Sequence, residues 1–158
     1  MHHRYQPPPN VPACPVTVVC GPPAAGKSTY VAARAAGADV VIDLDDLALA
    51  LSPSSTQHHA YPIATRRVAI AARAAAVDRA IRDPAIPHLW IIHAWPSPAQ
   101  MRRYGRWCAA IVCIDPGEDV VRARAQESRP RRTDDLIAAW YRERPQIAST
   151  IELGTAAL

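Results

Sequence analysis

Five residues of strand character, Val16-Thr17-Val18-Val19-Cys20, run directly into Gly21-Pro22-Pro23-Ala24-Ala25-Gly26-Lys27-Ser28. That junction constrains the chain more than any other feature. The second stretch meets G-x-x-x-x-G-K-[ST] at every fixed position, behind a predicted strand and ahead of a predicted helix, which is the context the pattern needs. Its small side chains let backbone N–H groups close around phosphate oxygens, and a helix N-terminus adds a favourable dipole. Lys27, the only lysine among 18 basic residues, is placed to reach the β and γ oxygens. The Ser28 hydroxyl can ligate magnesium, with water filling most other positions. Gly21, Pro22, Ala24, Ala25, Gly26, Lys27, Ser28 and Thr29 are therefore expected to bind a nucleoside triphosphate, ATP or GTP, with Mg2+.

Beyond this loop, short apolar runs alternate with helical segments. A helix is expected from Lys27 to about Ala36, closed by Gly37. Strands follow at 38–43, 88–93 and 109–115, with 147–153 as a fifth candidate. Between them lie a brief helix at 45–51, a long alanine- and arginine-rich helix from Pro62 to about Arg82, and a helix capped by Ser97. Two more are expected at 118–127 and 133–144. Uninterrupted apolar strands alternating with helices argue for a short parallel sheet in a three-layer α/β sandwich. Ligands in such sheets sit at the carboxyl ends of the strands, where Gly21, Asp43, His93 and Asp115 fall.

At the end of the second strand stands Asp43-Leu44-Asp45-Asp46. One carboxylate there can accept a proton from an attacking hydroxyl while another holds magnesium through water. Asp45 is the expected base and Asp43 the metal-side residue. Strand alternation would point these two the same way and send Asp46 elsewhere, toward substrate. The competing reading makes Asp45 or Asp46 a plain helix cap. Between 122 and 132 five arginines accompany one carboxylate, Glu127. That imbalance fits a helical lid closing on a triphosphate, with Arg124 and Arg129 as its contacts, or else an exposed basic stretch. Arg66 and Arg73, seven residues apart on one helix face, either grip substrate phosphates or face solvent. His93 either touches substrate or is a satisfied structural histidine. Trp95 is a candidate for stacking a base, while His58-His59 lacks metal-ligand spacing.

Composition narrows the class. With 158 residues, 49% hydrophobic and 20% charged, the chain is sized for one domain: a proline-rich tail at 1–15, a domain at 16–146 and a strand or tail at 147–158. No signal-peptide core or membrane-length apolar run is evident, so a cytoplasmic protein with no membrane partner is expected. Cys14, Cys20, Cys108 and Cys113 form no C-x-x-C pair and read as buried free thiols. A net charge of +4, carried almost wholly by arginine, favours an anionic partner only modestly.

The loop at 21–28, Asp45-Asp46 behind the second strand, and the arginine segment ahead of Asp134-Asp135-Leu136-Ile137 and Trp140-Tyr141 together resemble the P-loop kinases of the polynucleotide 5′-kinase type. They also resemble phage AAA-domain proteins that occur beside HNH nucleases. The resemblance spans about 16–145 and implies a three-layer P-loop NTPase sandwich, nucleoside/polynucleotide kinase-like, with an arginine-rich helical lid. It implies an ATP- and magnesium-dependent phosphotransferase acting on a nucleic-acid 5′ end, with Lys27, Asp45, Arg124 and Arg129 catalytic. Two departures stand out. Where those kinases carry a phosphate-gripping arginine three residues past the base, this chain has Ala48. Their polar residues after the third strand are replaced by Ala94-Trp95-Pro96. The alternatives are a small-molecule kinase, and an ATP-binding module serving a nuclease or packaging partner. A ring-forming motor is disfavoured because no acidic pair ends the third strand.

Overall fold

The computed structural model describes residues 11–53, 56, 61–128, 133–143 and 151–153. Among these described residues five strands form one all-parallel sheet: β1 (Val16–Cys20), β2 (Val40–Ile42), β3 (Leu89–Ile92), β4 (Ala110–Ile114) and β5 (Ile151–Leu153), in the spatial order β2-β3-β1-β4-β5. The helices described between them are α1 (Lys27–Ala32), α2 (Leu44–Ala50), α3 (Ile63–Ala80), α4 (Pro98–Arg106), α5 (Glu118–Ser128) and α6 (Thr133–Glu143). The chain leaves central β1, builds the β3 and β2 side, then crosses to β4 and β5.

Strand alternation divides the core into two layers. Val16 and Val18 of β1, with Leu89 and Ile91 of β3, pack on Val77, Ala80 and Ile81 of the α3 end and on Tyr104 and Trp107 of the α4 end. Val19, Trp90, Ile92, Val112 and Ile114 face the other way, onto Val31 of α1, Val121 and Ala125 of α5 and Ile137 of α6. The three-layer α/β expectation is met. At the carboxyl ends of β1 and β4, Cys20 and Cys113 meet Trp140 in a third cluster.

Several local expectations need correction. Helix α1 stops at Ala32 with Ala33 as its C-cap, so Gly37 does not close it. Asp39 captures the Ala36 amide at 2.9 Å and the Trp90 indole N–H at 3.0 Å, drawing the chain off the helical path. A side chain supplying local hydrogen bonds in this way competes with helix continuation. β2 ends at Ile42 and α2 begins at Leu44, so strand alternation does not orient Asp43 and Asp45. Asp43 itself is the N-cap, its Oδ1 accepting the Asp45 amide at 3.0 Å. Ser97 forms a full capping box with Gln100, as the sequence suggests. All four cysteines are free; Cys14, Cys20 and Cys113 are buried, but Cys108 is exposed in the turn before β4. Among the described residues no helix is long and apolar enough to cross a membrane.

Candidate nucleotide and phosphoryl-transfer site

The loop leaving β1 is held in a strained, compact path. Gly21 adopts φ +151°, and a β-carbon there would lie 2.2 Å from the Ile114 carbonyl oxygen of β4. Only glycine allows the loop to pass so close to the neighbouring strand. Ala24 (φ 62°) and Gly26 (φ 94°) are both left-handed, curling the loop back on itself as in anion-binding nests. Pro22, fully buried, presents its carbonyl inward, and the Lys27 ammonium donates to the carbonyls of Pro22 at 2.6 Å and Gly21 at 2.9 Å. Lys27 thus folds over its own loop.

The first turn of α1 has neither a capping side chain nor an acidic residue. This contrasts with α2, whose N-terminus is capped by Asp43 and followed by Asp45 and Asp46. The contrast suits an anion at the first helix and repels one from the second. Ser28 Oγ donates to Asp43 Oδ2 at 3.1 Å, joining the phosphate loop to the end of β2. Burial, with the charges of Asp45 and Asp46 nearby, raises the Asp43 carboxyl above the usual carboxylate range, against the opposing hydrogen bonds from the Asp45 amide and Ser28. A positive charge at this point would restore the ionised form.

A cavity of about 490 Å³ opens in front of these groups. The loop and first turn of α1 (Pro23 to Thr29) form one wall; Asp43, Leu44, Asp45 and Tyr61 form another. Arg66 and Arg73 of α3, Ile92 at the end of β3, and His93 and Ala94 just beyond it complete the floor, with Thr133 and Leu136 of α6 at the rim. The structure thus brings Ala24, Ala25, Gly26, Lys27, Ser28, Thr29, Asp43, Asp45, Arg66, Arg73 and His93 to one cavity. Gly21 and Pro22 support it from behind.

Other expected site residues fall elsewhere. Asp46 is exposed on α2 and does not line the cavity. Arg124 sits half-buried on α5, also outside the lining. Arg129 and His58-His59 lie outside the described residues. The imbalance of charge in the arginine segment is reduced by one partner on the same helix and one from α6. Arg122 pairs with Glu118 at 2.7 Å and lies 3.7 Å from Asp134 of α6, so it braces α5 against α6. Trp95 packs edge-on against Trp140 at 5.8 Å rather than lining the cavity. Asp115 accepts from the Tyr141 hydroxyl at 2.6 Å and the Gly117 amide at 3.1 Å, anchoring α6 outside the cavity lining.

His93 has the hydrogen-bond partner of a structural histidine and also a place in the cavity lining. Its Nε2 shares a 2.6 Å hydrogen bond with the Tyr104 hydroxyl, yet the residue also lines the cavity. Burial, reinforced by the Arg73 charge, pushes its pKa down to about 3, so the ring is neutral. Sequence reasoning missed Tyr61, whose hydroxyl donates to Asp45 Oδ1. The only signal available was its place beside Pro62, at the mouth of a predicted helix. Leu136 was equally hidden: 60% exposed, it stands at the rim only because α6 folds back over the loop.

A parallel α/β sheet with a phosphate-cradling turn at the end of its central strand, facing carboxylates from the next strand, defines a P-loop nucleotide-binding domain. Residues 16–142 match the AAA domain family AAA_33, and the chain belongs to that family, whose members are P-loop kinases and ATPases. No curated protein matches the chain significantly.

Proposed function

We propose that this domain is a phosphotransferase that moves the γ-phosphoryl group of ATP, with Mg2+, to a hydroxyl acceptor held beside Asp45. The acceptor class we favour is the 5′-hydroxyl of a nucleic acid. The observation carrying this reading is that Lys27, Ser28, Asp43 and Asp45 line one cavity, with Arg66 and Arg73 facing them.

The residues fit the implied ligands. The uncapped start of α1, the left-handed loop and Lys27 suit a polyphosphate. Ser28 and Asp43 offer two neighbouring oxygens, a donor set that suits magnesium because that ion keeps most of its waters. Bound there, Mg2+ would neutralise charge on the phosphate oxygens. Asp45 takes the proton of the acceptor hydroxyl as its oxygen bonds to the γ-phosphorus. The bond from that phosphorus to the bridging oxygen breaks and ADP leaves with the electron pair. Tyr61 holds Asp45 in place through its hydroxyl, and neutral His93 adds no competing charge on the floor.

A compact hydroxylated metabolite is the second reading, supported by Tyr61 and Arg73 lining the same cavity as Asp45. Incubation with γ-labelled ATP, Mg2+ and a panel of 5′-hydroxyl DNA, RNA and metabolites tests both. Label on an oligonucleotide supports the favoured acceptor, whereas label on a metabolite alone replaces it with the second. In either case Asp45→Ala is expected to cut transfer by roughly 10²–10⁴-fold while ADP still binds. Undiminished transfer in that variant would remove Asp45 as the base.

A further inference from the structure

Arg73 stands apart from the other arginines. It projects from the middle of α3, lines the cavity, and donates from one terminal nitrogen to the Ile92 carbonyl at 2.7 Å. Its Nε is buried with no hydrogen-bond partner, and among the described residues the guanidinium makes no ion pair. A guanidinium carries five donors in a fixed fork, and leaving one sealed from both water and an acceptor is costly. Arg103, whose Nε is likewise buried, is by contrast paired with Asp78. Burial depresses the Arg73 pKa, while Tyr104, Asp43 and Asp45 act in the opposite direction. Arg73 is therefore a poorly satisfied cation on the floor of the cavity that Asp45 also lines.

The position gains meaning from α2. Ala48, one turn beyond Asp45, is completely buried and offers no charge to an acceptor. Arg66, seven residues before Arg73, lines the same cavity, so α3 supplies its cationic side. His93 and Tyr104 are occupied with each other, leaving Arg73, with Arg66, to carry the positive charge of the floor.

We propose that Arg73 is the acceptor-anchoring residue: the molecule phosphorylated here carries an oxyanion, carboxylate or phosphate, that seats on the Arg73 guanidinium while its hydroxyl faces Asp45. The fork geometry of arginine matches a planar carboxylate or two phosphate oxygens. A neutral alcohol would leave Arg73 as unsatisfied as before and is a poor acceptor. The inference rests on the phosphotransferase reading and narrows it to anionic acceptors, from whichever side of the cavity they enter.

The test is direct binding by calorimetry, on full-length protein saturated with ADP and Mg2+ so that the phosphate loop is filled. The titrants are adenosine, adenosine 3′-monophosphate, glycerate and inorganic phosphate. Adenosine 3′-monophosphate or glycerate is expected to bind the wild type, and Arg73→Gln is expected to weaken it about tenfold or more, the scale of one charge-assisted fork. Arg73→Lys should restore part of the affinity, because charge survives while the fork does not. Preference for adenosine 3′-monophosphate identifies a phosphate-bearing acceptor, and preference for glycerate a carboxylate-bearing one. Equal affinity of wild type and Arg73→Gln for every anion, or binding of adenosine alone, overturns the proposal. ADP binding by Arg73→Gln reports an intact fold. If wild type itself fails to bind ADP, the phosphotransferase reading falls first. The anions are then titrated without nucleotide, where the same loss in Arg73→Gln is still required.

Discussion

Gly21→Ala is the substitution that probes the loop most directly. Its β-carbon would sit 2.2 Å from the Ile114 carbonyl oxygen, a backbone atom of the β1–β4 ladder that no rotamer change can move. The overlap forces a strand shift, costing about 1–3 kcal/mol as an overpacking event. Holding a β-carbon at φ +151° adds about 1–3 kcal/mol of backbone strain. Together these remove roughly 4 kcal/mol from a domain whose whole stability is roughly 5–15 kcal/mol. For a domain of this size, that lowers the melting temperature by about 8–16 °C. Thermal unfolding followed by circular dichroism reads it out, with two internal controls. Gly37→Ala places its β-carbon in open space without a positive φ, and should melt within about 2 °C of wild type. Gly105→Ala, also in open space but inside α4, should gain about 0.5–1 kcal/mol from helix propensity. A Gly21→Ala variant melting alongside Gly37→Ala would refute the close-approach argument and with it the strained cradle.

Three further outcomes are expected. His93 has its pKa lowered from 6.5 to about 3, so in acid the unfolded chain takes up a proton that the folded ring refuses. Stability contributed by the neutral ring is complete above pH 6.5 and declines as pH falls toward 3. By pH 4.5 the loss is about 3 kcal/mol, and His93→Gln should flatten that part of the urea-unfolding profile. Tyr61→Phe takes the hydroxyl from Asp45 without emptying the cavity wall; kcat should fall roughly tenfold with ADP affinity unchanged, as read by steady-state kinetics and calorimetry. Trp140→Ala deletes a buried ring and its 3.0 Å hydrogen bond to the Ala94 carbonyl, so a stability loss of about 3–5 kcal/mol is expected in denaturant titration.

The primary structure alone determined the phosphate cradle and the layered fold, because both are written in local terms. An apolar run ending in G-x-x-x-x-G-K-S needs only its own neighbours to become a strand, a tight turn and a helix. Apolar strands alternating with helices leave little choice but a covered parallel sheet. The acidic end of β2 was legible for the same reason, although the early start of α2 turned Asp43 into a cap that the chain pattern alone had not shown. Tertiary packing decided the remainder. Arg122 has a local partner in Glu118 one turn back on its own helix, but it acquires Asp134 only because α6 packs beside α5. Tyr61, Arg73 and Leu136 belong to separate segments and share a cavity only once α3 and α6 are laid against the carboxyl ends of the strands. The far side of the cavity is therefore set by long-range packing, whereas the phosphate loop is set by a short stretch of backbone whose conformation its own glycines and neighbours dictate.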